Sequence, residues 1–549
     1  MNKRLIYFIL VFILSGCDGS GAGEEDGGVP DGTVQDGNKA DAGEADTDAD
    51  TDTDSDSDAD ADADSDADGD LDAGEDACMY DPEDRVGWVR TWGGENVDEG
   101  DVVAVGPDGT VVVAGIFRGT TDFDPGSGQE IHTSTGDWWS TYVSKFSEDG
   151  DFIWNKIIGG TGRVEVRGIG ILEDGSIILG GSFTETADFD PSSNKQEYTA
   201  SSDFDSYILS LSKDGEFEWL YLIKGDGNEI IYGMDVSEQE NIYFCGDFKN
   251  TLIFEYDGGV DTYTASGVGG ESDSWVAKLD PDGSYLWSRS MGGGGQDVAE
   301  DLGTGPDDSV IVIGEFEGNM DFDPGPGEDE YECSDLYDVY LIHLDGDGDY
   351  VWGKHISGNG IEFGPAVEVD DDGNIYAAVE HSNQVDFDPD TAGFEADCDN
   401  NYCFSIASYD AEGSFSWVSS ISGTGVIHDV EDLIVTHEGV ILTGDFEGIA
   451  DFDPGPGVQE RMAIGWDTYL LNLSLDGDYD WVTTIGGDGG CSSLSIFQGL
   501  ENDLFMTGFY YLTVDFDPTS CRDERTSGVD SKDRGAFLWK LNENGNYYP

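Results

Sequence analysis

The sequence predicts an all-β fold, a seven-bladed β-propeller of four-stranded antiparallel blades closed by an N-terminal strand. Three observations lead there. A tryptophan returns at Trp88, Trp154, Trp219, Trp287, Trp352, Trp417 and Trp481, every 64–68 residues. Glycine-centred turns divide each repeat into alternating strands, and an acidic segment with DFDP at its centre recurs at one fixed place in the repeat. Such a period marks a repeat architecture and is read before any other signal.

Within one repeat, VRGIGILEDGSIILGGSF (166–183) is two alternating strands about a Gly turn, and SYILSLSKDGEFEWLYLI (206–223) is two more about KDG. Four strands make one antiparallel sheet. A single sheet of that size cannot bury both faces, whereas radially stacked copies can. A strand glycine stands seven residues before each acidic segment, at Gly115, Gly181, Gly246, Gly314, Gly444 and Gly508, with Val379 the exception. Paired glycines follow several of the tryptophans by five residues, at Gly93–Gly94, Gly159–Gly160, Gly292–Gly293 and Gly486–Gly487. The third repeat keeps the spacing but reads LIFEYD where DFDP is expected.

The ends predict closure. The turn glycine that precedes the tryptophan by four residues in six repeats is followed, after Gly545, by the chain end, so the last repeat lacks a fourth strand. VGWVRTWGG (86–94) is a fourth strand with nothing before it, and it fits the vacancy. Placing both ends in one sheet removes open edges. With NIYFCG, DSWVAKLDPDG and DSYILSLSKDG on the page, residues 86–549 resemble the bacterial β-propeller repeat family. That resemblance implies a ring of such units. The chain departs from it in carrying DFDP and a tryptophan on the last strand.

Charge restricts partners. The 549 residues hold 23 Lys+Arg against 119 Asp+Glu, a formal charge of −96, which repels nucleic acid and acidic membranes. The first residues, MNKRLIYFILVFILSGC, put Lys3 and Arg4 before an apolar run too short to span a bilayer. The LSGC ending resembles bacterial lipoprotein signals, which implies cleavage after residue 16 and lipidation of Cys17. Residues 17–78 read as a disordered linker, because Asp fills every even position from Asp46 to Asp72 between residues too small to build a core. Self-repulsion makes it an extended spacer; a low-affinity calcium sponge is the alternative. The propeller domain is then 79–549, expected as a monomer in the bacterial cell envelope.

The recurring acid pairs are the candidate site: Asp122 and Asp124, Asp188 and Asp190, Asp321 and Asp323, Asp386 and Asp388, Asp451 and Asp453, Asp515 and Asp517. In an extended segment the two carboxylates project to one side and the phenylalanine to the other. Two readings stand. The segment is a joint whose Phe fills the space between blades and whose Asp accepts backbone amides. Or it binds calcium, with Asp297 and Asp429 of neighbouring loops completing an oxygen shell and Glu255 of the third repeat binding nothing. No other cofactor is expected.

Other motifs carry less. DGDGDY (345–350) opens like an EF-hand loop but has Ile356 where the bidentate Glu belongs. KDGEFEW echoes the tryptophan-docking repeat of quinoprotein propellers, and is read as core. The six histidines have no metal-ligand spacing, and no nucleophile with a base can be assembled from the sequence. Two disulfides are expected: Cys398–Cys403 within one loop, with Cys333 a competitor one repeat earlier, and Cys491–Cys521, whose connections emerge at the same end of the last sheet. Function is expected to be a membrane-anchored binding scaffold for an envelope protein or glycan. The alternative is a polysaccharide lyase or hydrolase working on the face of GDWWSTYV (136–143).

Overall fold

The computed structural model describes residues 87–547 except 268–269, 335, 389–392, 394, 424–425, 520 and 529–531. The signal, Cys17, the Asp-rich linker and the start of the domain at residue 79 lie outside the described residues. The fold is all-β, with four-stranded antiparallel meanders in a propeller arrangement. In one of them Val164–Ile171, Ile177–Phe183, Asp205–Leu211 and Phe217–Gly225 pair in sequence order. Alternate apolar residues on both faces are buried, because each sheet is covered on two sides: Val112 and Val143 of one meander share a core with Ile177, Leu179 and Tyr207 of the next.

Hydrogen bonding does not divide the chain into seven separate four-stranded sheets. It gives four six-stranded sheets, one of twelve strands and one of two. The reason is the acidic segment. Its short hairpin sits in the connection from second to third strand, and it pairs with the outermost strand of the preceding meander. Asp188 and Ala187 register with Gly159 and Gly160, Asp321 and Met320 with Gly292 and Gly293, and Asp451 and Ala450 with Ser422 and Gly423. These meanders thus borrow two strands from the next, whereas the last hairpin, Thr513–Asp515 with Glu524–Thr526, stays a separate two-stranded sheet bridged to the preceding meander at Gly486 and Asp515. In the third repeat the hairpin Thr251–Tyr256 with Gly259–Thr264 is borrowed through Leu252 and Gly225, and Phe254 is buried as the DFDP phenylalanines are.

The strand Trp88–Gly94 pairs antiparallel with Arg534–Leu541, from Trp88 opposite Lys540 to Trp92 opposite Ala536. Its glycines in turn receive the first acidic hairpin, Asp122 opposite Gly93. Local sequence explains a second repeated contact. The turn between third and fourth strands needs a left-handed residue, and glycine supplies it at Gly150, Gly215, Gly283, Gly348, Gly413, Gly477 and Gly545. Each of these glycines lies under an indole of the preceding meander: a Cβ on Gly348 would come within 2.7 Å of the Trp287 ring, and one on Gly413 within 2.9 Å of the Trp352 ring. Trp287 Nε1 donates to Gly346 O at 3.0 Å, and Trp417 Nε1 to Leu475 O at 2.9 Å. The recurring tryptophans, expected as core, are therefore mostly half-buried locks between neighbouring sheets. DGDGDY forms one of these turns, with Asp345 accepting the amides of Asp347 and Asp349.

Candidate functional site

The acidic segments act as joints. The first carboxylate of each pair closes its hairpin by accepting backbone amides: Asp122 from Glu130 at 2.8 Å, Asp188 from Gln196 at 2.9 Å, Asp321 from Asp323 at 3.1 Å and Asp329 at 2.8 Å. Asp451 takes Gln459 at 2.7 Å, Asp515 takes Asp523 at 2.8 Å and Asp386 takes Asp388 at 3.0 Å. The second carboxylate caps the proline turn, Asp124 accepting Gly126, Asp190 Ser192, Asp323 Gly325, Asp453 Gly455 and Asp517 Thr519. Phe123, Phe189, Phe322, Phe387, Phe452 and Phe516 are fully buried. Phe123 packs on Phe117 and Tyr142 in a cluster that also holds Trp92 and Leu538 of the neighbouring sheet.

The calcium reading needs at least a third oxygen ligand at each pair. Among the described residues these aspartates form no group of three convergent ligand atoms. Asp297, expected to complete a shell, instead accepts the Gly293 amide at 2.7 Å. It belongs to a feature the sequence did not reveal, a carboxyl at the start of an inner strand beside one at the start of the preceding meander's third strand. Burial pushes the Asp297 carboxyl up to about 8, the Gly293 amide opposes this and Asp273 adds to it. Burial, then the neighbouring Asp205, raises Glu229 to about 9. Asp98, holding the Gly94 amide and the Thr121 hydroxyl, is raised to about 7, again mainly by burial. Nothing in the spacing of single acids signals such pairs, because they form only between repeats.

The cysteines divide differently from expectation. Cys398 and Cys403 are disulfide-bonded. Cys491 and Cys521 are not bonded to each other: Cys491 is a free, buried thiol whose burial raises its pKa, while Cys521 is engaged in a disulfide of its own. Cys491 lies within the strand Gly490–Gln498 opposite Tyr510, so its side chain joins the sheet core.

Several exposed apolar side chains lie on the connections from second to third strands. Trp138 is 41% exposed and stacks against the Arg163 guanidinium at 4.4 Å, while Trp139 donates to Glu165 at 3.0 Å. A larger patch lies on the strand Glu460–Leu473, where Met462, Ile464 and Trp466 alternate outward at 69%, 76% and 38% exposure. Ile449, opposite Met462, extends it across the hairpin. The alternation of apolar residues in RMAIGW (461–466) is its sequence signal, and it has the same period as strands that face a core.

No protein-family model matches the chain. It is 24% identical over 263 residues to an uncharacterised WD repeat-containing protein of Acanthamoeba polyphaga mimivirus, an alignment that covers 42% of this chain and 19% of that protein. The likeness supports a β-propeller repeat architecture. It does not assign the chain to a bacterial seven-bladed family. A solved structure, the extracellular domain of a hybrid two-component system from B. thetaiotaomicron, overlaps 81% of this chain and 70% of that one at 10% identity. Its TM-score of 0.17 is too low to carry an argument.

Proposed function

We propose that residues 79–549 form a seven-bladed ring closed by Trp88–Gly94, and that the ring is a non-enzymatic interaction scaffold. The indole-on-glycine contacts support the count, since they run from Trp88 on Gly150 through each repeat to Trp481 on Gly545. The lipid anchor at Cys17 and the acidic spacer would hold the ring off a bacterial envelope membrane as a monomer.

One observation carries the binding role: Ile449, Met462, Ile464 and Trp466 form a contiguous exposed apolar patch on a hairpin tied into the sheet. A soluble surface with this much charge has no structural use for such a patch, which marks a docking surface for another protein. Screening the mature protein against envelope proteins, beside Met462→Glu/Ile464→Glu, tests the reading. Partner capture by the parent alone supports it; equal capture by both removes it.

A second reading, glycan binding, rests on Trp138 and its Arg163 stack. An exposed indole edged by a guanidinium suits a sugar face. Loss of glycan-array signal in Trp138→Ala would favour it over the protein partner.

A further inference from the structure

The repeats differ at one buried place, and the differences converge. At the end of the second strand five units carry phenylalanine, Phe117, Phe183, Phe248, Phe316 and Phe446. Opposite it stands the first polar residue of the third strand, Ser140, Asp205, Asp273, Asp338 or Asp467. In the fifth unit the phenylalanine is replaced by His381 and its partner by Cys403. Cys398 is the third member. His381, Cys398 and Cys403 are 0%, 2% and 1% exposed, and one ligand atom from each lies within 4.8 Å of the others.

A disulfide explains the two cysteines. It does not explain an imidazole in place of a core phenyl ring, where a polar ring costs free energy unless its nitrogens are used. His381 Nδ1 lies 3.3 Å from Cys398 Sγ and 3.3 Å from the Asn383 carbonyl oxygen, and its Nε2 lies 3.7 Å from Cys403 Sγ. Its Nε2 is hydrogen bonded to Ser405 Oγ at 2.8 Å, which in turn contacts Ser420 Oγ at 2.7 Å. A hydrogen bond from one ring nitrogen to a neighbouring oxygen, Nδ1 to Asn383 O or Nε2 to Ser405 Oγ, orients the imidazole and leaves the other nitrogen beside sulfur, as a metal-bound histidine is oriented.

We infer that His381, Cys398 and Cys403 form a redox-gated site for a thiophilic ion of the zinc type. The oxidised site is the cross-link seen. A dithiol reductant breaks the Cys398–Cys403 S–S bond, transferring two electrons and two protons to give two thiols and its own cyclic disulfide. The ion then binds both sulfurs and one ring nitrogen of His381, displacing the two thiol protons to solvent. Two thiolates and one imidazole are a donor set that zinc accepts, and the softness of the thiolates disfavours hard ions such as calcium or magnesium.

The test uses the full chain, reduced by a phosphine while folded, with the phosphine removed before cobalt(II) is added as the optical probe. The inference predicts one cobalt per chain, thiolate-to-cobalt charge-transfer absorption, and protection of Cys398 and Cys403 from alkylation by zinc. Cys491→Ser should keep the signal, Cys398→Ser/Cys403→Ser should abolish it, and His381→Ala should weaken affinity at least about tenfold. Absence of charge-transfer absorption in reduced parent protein that retains its circular dichroism overturns the inference. So does equal alkylation with and without zinc, a readout that needs no variant to fold.

Discussion

Trp88 lies against Gly150, although sixty-two residues of chain separate them: its Nε1 donates to Glu148 O at 3.2 Å, and a Cβ on Gly150 would fall 2.9 Å from its ring. Arg90 of the same strand donates to Gly150 O at 2.9 Å. The strand that carries both residues pairs with the last strand of the chain. Trp88 therefore pairs with the last strand of the chain and packs on the turn glycine of the first repeat.

The same contact in mid-array gives the first prediction. Gly348 has a left-handed φ of 75° and lies beneath Trp287. Gly348→Ala adds a Cβ where both the backbone and the indole oppose it, and should destabilise by about 2–4 kcal/mol. Denaturant unfolding measures it; Trp287→Ala in the same chain should make the glycine change less costly, because the steric half of the penalty disappears.

The joint reading makes a second prediction. Asp321→Ala removes the acceptor of two backbone amides and should cost about 1–3 kcal/mol. Phe322→Ala, at a fully buried site, should cost about 3–5 kcal/mol. Chelator should leave the melting temperature unchanged; a fall on chelation, restored by calcium, would return the aspartate pairs to a metal role.

These repeated contacts show what the sequence could reveal. The tryptophan and turn-glycine spacing was legible because both recur at a fixed period, and the strand pattern gave the meanders. The partner of each contact was not legible, since Asp188 meets Gly159 and Trp287 meets Gly348 only once neighbouring sheets are stacked. The place of Cys491 was not legible for a related reason: it lies on a strand rather than in a connection, and its register opposite Tyr510 turns it inward. His381 was passed over because its ligand-capable neighbours are 17 and 22 residues away, across a strand pair rather than along a motif.

A third prediction concerns pH. Glu229, Asp297 and Asp98 have carboxyl pKa values raised to about 9, 8 and 7, chiefly by burial. Their protons are held in the folded state and released from the unfolded one, so the fold binds more protons and stability falls as pH rises. The loss should begin near the ordinary carboxyl range, about 4, and continue to about 9. Melting curves across that interval check it, and Glu229→Gln should flatten the slope at its alkaline end.

Removing residues 1–94 tests the central claim, that the N-terminal strand closes a ring of seven units. The account predicts a lower melting temperature and fast hydrogen exchange in Arg534–Leu541, which would lose its partner from Trp88 to Trp92. A truncated protein that melts with the parent and keeps those amides protected would contradict it.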